Sequence, residues 1–299
     1  MKKILSIGPL FIMIAALLWS LDGIIRTSLF SLPPTVIVFW EHLLGALVLI
    51  PFIFIKRKEI SQLTRKEWIA LGIISLFSGV LGTVMYTAAL GKVQYIQFSV
   101  VVLLQQLQPI WAISAAAIIL KEKLTKKFIY WAALGILSTY LISFKDLTIN
   151  LASGNQTLIA ALLALGAGFV WAVSTSFSKI VLHKVSYQLT TLLRFLITPL
   201  FAILFVFGFG NQASLLALDQ SQWIRLIIIV FSTGMVALLI YYYGLRKTPA
   251  RVSSIAELTW PASAIFIDYF YFHNSLSPTQ IVGVAILAVS IYKVSQFKK

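Results

Sequence analysis

The chain has 299 residues, of which 60% are hydrophobic and 11% charged, and its mean hydropathy is +0.94. Soluble domains carry about 25% charged residues, so a water-soluble fold of this length would expose large apolar patches, and lipid is the fitting solvent. The formal charge of +15 does not indicate nucleic acid as a partner, because the basic residues are dispersed in short loops between apolar runs and form no stripe.

A spanning helix needs about 20 apolar residues, and ten such runs follow one another at 9–28, 35–55, 68–90, 98–120, 128–144, 157–181, 189–208, 224–245, 252–272 and 278–294. Lys2 and Lys3 precede the first run, but the run is long enough to span, lacks a clean small-residue cleavage site and is followed by more spans. It reads as a membrane anchor rather than a cleaved signal. The punctuation between runs is consistent: Leu32-Pro33-Pro34, Gly91-Lys92, Gly154-Asn155, Gly208-Phe209-Gly210 and Ser277-Pro278.

With the N-terminus inside, nineteen of the 24 basic residues fall on the inner side, among them Lys56–Lys58, Lys121–Lys127 and Arg246–Arg251. That asymmetry predicts cytoplasmic N- and C-termini and an even number of spans in a multi-pass cell (inner) membrane protein.

The sequence also repeats. Trp19 matches Trp171, Pro51 matches Pro199, Trp68 matches Trp223 and Gly79 matches Gly234. Tyr86 matches Tyr241 in the same frame, and Pro109 matches Pro261 after a small gap. The predicted domains are therefore two five-helix repeats, 1–148 and 157–299. An odd number of spans per half puts the halves in opposite orientation, the inverted-repeat architecture of many secondary transporters, with substrate bound near the midplane.

The residues Ala15-Ala16-Leu17-Leu18-Trp19-Ser20 and Ala167-Gly168-Phe169-Val170-Trp171-Ala172 open each half. With Tyr86-Thr87-Ala88-Ala89-Leu90, Leu104-Gln105-Gln106-Leu107-Gln108-Pro109, Lys121-Glu122-Lys123-Leu124 and Glu257-Leu258-Thr259-Trp260-Pro261, they resemble the ten-helix EamA-type branch of the drug/metabolite transporter superfamily. The second half departs at His273-Asn274, where that family carries Gly-Glu, a glutamate that looks structural. The resemblance implies a central cavity lined by the first, third, fourth, sixth, eighth and ninth helices, with the fifth and tenth peripheral. It also implies transport of a small-molecule substrate, since members export amino acids and other metabolites.

Ionisable residues at bilayer depth cost about 2.5–3.5 kcal/mol each on insertion scales, so Asp22, Glu41, Arg194, Glu257 and Asp268 each need a reason. Asp22 and Glu41 lie at similar depth in the outer half, and either serves a proton, a cation or a substrate amine, or pairs locally; Arg26, four residues after Asp22, shares its face. His42 points elsewhere on the helix. Arg194 is nearly the repeat mate of Glu41, and its guanidinium suits a substrate carboxylate or an ion pair with Glu257, the pairing being favoured. Asp268 falls near the outer end of its helix.

Gln105, Gln106 and Gln108 precede Pro109, and their amides suit a polar substrate or bonds between helices. Trp19, Trp171, Trp260, Tyr86 and Tyr241 are deep aromatics that either stack on a flat or cationic ligand or simply pack. Trp68, Trp131 and Trp223 read as interfacial anchors.

There is no cysteine, and His42, His183 and His273 show no metal-ligand spacing. No Gly-rich phosphate loop and no Ser/His/Asp cluster is present, so neither a cofactor, nor a metal, nor an enzyme is expected. The reading is a secondary-active transporter that exports a small polar metabolite, such as an amino acid, by alternating access, as a monomer or homodimer in the lipid bilayer. A non-catalytic assembly factor and a flippase for a lipid-linked substrate are the alternatives.

Overall fold

The computed structural model describes residues 7–92, 105, 107–143, 155–270 and 277–297. Among the described residues there are helices and turns and no strand. The helices fall on all ten apolar stretches: α1 (Ile7–Thr27), α2 (Pro34–Leu49), α3 (Arg65–Leu90), α4 (Gln108–Ile119), α5 (Lys126–Ser143), α6 (Asn155–Lys184), α7 (Tyr187–Gly208), α8 (Gln220–Lys247), α9 (Ala250–Ala256 continued by Thr259–Phe270) and α10 (Pro278–Val294). Five of them, α1, α3, α6, α7 and α8, are long and apolar enough to cross a membrane; α2, α4 and α10 are shorter apolar helices. Gln106 and the N-terminal part of the fourth run lie outside the described residues, as does the side chain of Asp268.

Local chemistry starts the helices where the punctuation predicts. Pro34 and Pro278 occupy first-turn positions, where the missing N–H costs nothing. Ser277 exchanges bonds with Gln280, and Asp219 with Gln222, in capping boxes. The Thr64 amide donates to Glu67 Oε2 at 2.8 Å at the head of α3. The outward faces remain apolar, with Phe54 74% and Ile118 77% exposed, which suits a hydrocarbon surround and no aqueous one.

The two halves interlock. α1 packs on the C-terminal part of α8, and α6, the counterpart of α1, packs on α3, the counterpart of α8; α2 meets α7, α4 meets the start of α9, and α5 meets α10. Small residues permit the closest approaches, as expected where van der Waals packing rather than hydrophobicity joins helices. At the α1–α8 crossing a Cβ added to Gly244 would lie 2.7 Å from the Gly8 carbonyl oxygen and 3.0 Å from the Ile12 nitrogen. Both are backbone atoms that cannot swing away. Gly244→Ala is expected to lower stability by about 1–3 kcal/mol, seen as a reduced melting temperature of the detergent-solubilised protein; an unchanged melting temperature would mean the crossing is looser than drawn.

Two carboxylates of the first half cap helices of the second. Glu59 Oε2 accepts from the Ser186 amide at 2.6 Å, just before α7. Glu122 accepts from the Ala250 amide at 2.8 Å, the Arg251 amide at 3.1 Å and Arg251 Nη1 at 3.0 Å, at the start of α9. On the same side Lys179 Nζ donates to the carbonyls of Leu245, Arg246 and Thr248, meeting the negative end of α8.

Candidate functional site

Four interruptions of regular helix converge on one cavity. A π-helical stretch, Ser75–Gly82, sits within α3. α8 breaks at Ser232–Gly234 and α9 at Glu257–Leu258. A turn at Leu107 precedes Pro109 at the head of α4. Ser78, Thr233, Gly234, Glu257, Leu258, Gln108 and Pro109 all line the cavity, which encloses about 1140 Å³ including its open mouth. Irregular backbone at membrane depth is tolerated where it borders a cavity that can satisfy the freed groups. The interruptions are also repeat mates: Gly79 and Gly234 mark one pair, and the turns before Pro109 and Pro261 the other.

All eleven candidate residues, Trp19, Asp22, Glu41, Tyr86, Gln105, Gln108, Trp171, Arg194, Tyr241, Glu257 and Trp260, line this single space. So do Arg26, His42 and Phe195; the second and seventh helices, which the resemblance left outside the lining although Glu41 and Arg194 were candidates, thus contribute to it. No residue of α5 or α10 is among those lining it. His42 reaches the wall after all: its Nδ1 donates to the Val38 carbonyl at 2.9 Å and its ring lies 4.7 Å from that of Phe195.

The aromatics form two related groups. Trp19 meets Tyr241 with ring centroids 5.1 Å apart, and Trp171 meets Tyr86 at 5.4 Å, with Trp260 beyond at 6.4 Å from Tyr86. Because Trp19 mates with Trp171 and Tyr86 with Tyr241, each contact is the repeat image of the other and each joins one half to the other. The Trp171 indole N–H donates to the Ser78 carbonyl at 3.3 Å, a group in the π-helical stretch.

The charges are distributed unequally. Arg26, buried, donates from Nε to Asp22 Oδ2 at 2.6 Å and from Nη2 to Glu41 Oε2 at 3.0 Å; Thr233 Oγ1 donates to Asp22 Oδ1 at 2.6 Å. The local Asp22–Arg26 pair is as the i,i+4 spacing suggests. The bridge to Glu41 depends on how α1 and α2 are placed, and sequence spacing carried no sign of it.

The expected Arg194–Glu257 pair is absent. Arg194 Nη1 donates to the Tyr242 hydroxyl at 3.0 Å, its guanidinium lies over that ring, and its Nε is buried without a partner. Glu257 instead accepts from the Tyr241 hydroxyl at 2.7 Å, from Ser253 Oγ at 3.0 Å and from Gln108 Nε2 at 3.0 Å. Neutral donors one turn back and on adjoining helices satisfied the carboxylate, so no guanidinium was needed. Among the described residues no group of histidines and carboxylates could hold a metal ion.

The comparisons with known proteins agree with this architecture. A family model described as the EamA-like transporter family matches twice, at residues 6–144 and 158–296. The chain is 37% identical over 295 residues to the riboflavin transporter ImpX of Fusobacterium nucleatum subsp. nucleatum, covering 97% of each protein. A solved crystal structure, described only as that of a protein, superposes with a TM-score of 0.74 over 97% of this chain and 98% of its own at 16% identity, a likeness of fold. Two family matches over nearly the whole length, with a transporter relative of equal extent, identify a multi-pass membrane transporter rather than an enzyme: the chain belongs to the EamA-like transporter family.

Proposed function

We propose that the protein carries a flat, hydrogen-bonding heteroaromatic metabolite across the membrane, and that this metabolite is a flavin, as the name of its relative in Fusobacterium nucleatum states for that protein. The observation that carries the reading is that the five rings of Trp19, Tyr86, Trp171, Tyr241 and Trp260 line the same cavity as Gln105 and Gln108. Aromatic faces suit a planar ring system, and amides suit its polar edges.

The amino-acid cargo expected from the sequence has less support. The carboxylates on the wall that would best take a zwitterion's ammonium group are already engaged. Asp22 and Glu41 are both held by Arg26, and Glu257 already accepts three hydrogen bonds.

Ten spans in two oppositely oriented five-helix repeats, with both termini cytoplasmic, remain the topology we propose. The interlocked packing of α1 on α8 and α6 on α3 supports it, as do the paired helix breaks. Alternating access around the central cavity then follows, with Asp22 and Glu41 as the groups for proton or charge coupling.

The test is flux of labelled riboflavin, with amino acids and nucleosides as parallel cargoes, in proteoliposomes with and without an imposed pH gradient. Riboflavin is expected to move and the amino acids not, and the dependence on the sign of the gradient reads out export or uptake. Trp171→Ala is expected to weaken riboflavin binding about 10-fold, measured as reduced quenching of flavin fluorescence by the protein. Amino-acid flux without flavin flux would restore the first reading.

A further inference from the structure

Gln105 is 2% exposed, lines the cavity, and neither its amide nitrogen nor its amide oxygen has a hydrogen-bond partner. Buried polar side chains are nearly always paired, and one left unpaired in both its donor and its acceptor asks for an explanation. Its repeat mate indicates what is missing. Gln105 stands four residues before Pro109 as Glu257 stands four before Pro261. Glu257 is served by Tyr241, by Ser253 one turn back, and by Gln108. Four residues before Gln105 in the sequence stands Val101, which has no hydroxyl, and Tyr86, the mate of Tyr241, makes no bond to Gln105. The same position in the two halves is thus closed by protein in one and left open in the other.

We infer that the transported molecule completes Gln105, and that Gln105 is the residue that selects a flavin by the imide edge of its ring. This inference rests on the flavin reading above. A primary amide presents a donor and an acceptor side by side in one plane. The pyrimidine part of a flavin presents the complement: a ring N–H flanked by two carbonyls. The amide nitrogen of Gln105 donates to one ring carbonyl while its amide oxygen accepts from the ring N–H, forming a pair of antiparallel hydrogen bonds. The neighbouring wall fits a planar edge arriving here. Gly168 of α6 faces the Gln105 main chain and Trp111: an added Cβ would lie 3.7 Å from the Gln105 Cα and carbonyl oxygen and 3.4 Å from the Trp111 ring, ordinary contact distances that seat this stretch against α6. Tyr86, Trp171 and Trp260 stand on the same cavity wall to stack on the ring face.

The experiment uses the full chain in proteoliposomes, with labelled riboflavin as cargo and unlabelled riboflavin or 3-methylriboflavin as competitor. The methyl group replaces the ring hydrogen that the amide oxygen accepts, adds bulk at that point and leaves both flanking carbonyls in place. In the natural protein 3-methylriboflavin is expected to compete on the order of 10- to 100-fold more weakly than riboflavin, the cost of leaving a buried acceptor unmet. In Gln105→Leu, riboflavin affinity is expected to fall by a similar factor and the discrimination between the two competitors to vanish. The ligand-free melting temperature of Gln105→Leu is expected to equal or exceed that of the natural protein, because an unsatisfied buried amide has been removed; this separates recognition from a structural role.

Equal competition by both flavins in the natural protein would overturn the assignment. So would discrimination that survives in Gln105→Leu, or a drop in melting temperature with discrimination kept. Failure of the natural protein to bind or move riboflavin at all would instead overturn the flavin reading, and this inference with it.

Discussion

Arg26→Met is expected to be the most damaging single substitution in the cavity wall, lowering stability by about 3–5 kcal/mol. The arginine is buried and holds Asp22 and Glu41 together. Removing it leaves two carboxylates facing each other in a low-dielectric setting with only Thr233 and neighbouring hydroxyls to compensate. The loss comes from stranding the partners more than from the arginine itself, and a second variant separates the two. In Asp22→Asn/Arg26→Met/Glu41→Gln every charge of the cluster is gone and the shapes are nearly kept, so most of the stability should return. Thermal unfolding of the detergent-solubilised variants measures both. If Arg26→Met melts like the natural protein, the cluster is solvated and the burial argument fails. If the neutral triple variant folds and binds riboflavin yet no longer responds to a pH gradient, the Asp22–Arg26–Glu41 cluster carries the coupling.

The second large effect is expected from Glu122→Ala. One carboxylate there closes the first turn of α9 by accepting from two backbone amides and from the Arg251 side chain. It reaches α9 from the loop after α4, so it also ties the two halves together at one end of the cavity. Losing it should cost about 2–3 kcal/mol, as for other hydrogen bonds to a charged group, and should loosen that end of the wall. The chain contains no cysteine, so a single engineered thiol reports without background. Ser254, buried on the cavity wall, is the position of choice. A Ser254→Cys thiol is expected to react with a small thiol reagent several-fold faster when Glu122→Ala is also present. Equal rates in the two backgrounds would mean that the carboxylate caps α9 without holding the cavity shut.

Much of this architecture was legible because two strong signals are local. An apolar run of membrane-spanning length is read directly from composition, and the flanking Pro, Gly and Ser residues mark its ends. The repeat made the deep aromatics stand out, since Trp19 and Trp171, and Tyr86 and Tyr241, occupy matched positions. What sequence spacing could not supply was geometry between helices. The i,i+4 rule found Arg26 beside Asp22 but not across from Glu41, because that contact is fixed by how α1 meets α2. The favoured Arg194–Glu257 pair failed for a related reason. Charge complementarity was weighed without the hydroxyls of Tyr241 and Ser253, which bond Glu257, and of Tyr242, which takes one N–H of Arg194. The breaks in α3 and α8 carry no proline, so only the matched glycines Gly79 and Gly234 hinted at them. The second and seventh helices join the cavity wall through Glu41, Arg194 and Phe195, a contribution that no periodicity announces.

The unequal dressing of the two halves has a kinetic consequence. The aromatic contacts are images of one another, but one pole of the cavity carries the Asp22–Arg26–Glu41 cluster. The corresponding positions at the other carry Ser174, Ser178 and, nearly, Arg194, with Ser178 bonded to Tyr242. Under the proposed alternating access, a ligand therefore meets different chemistry according to the side from which the cavity is open, although the scaffold around it is the same. Half-saturation on the two faces of the membrane need not be equal. Detailed balance still ties those differences to matching differences in turnover, so the carrier can be rectified in rate but never in equilibrium. On the proposed scheme net accumulation comes from the gradient, whereas the asymmetry of the poles sets how quickly the carrier works in each direction.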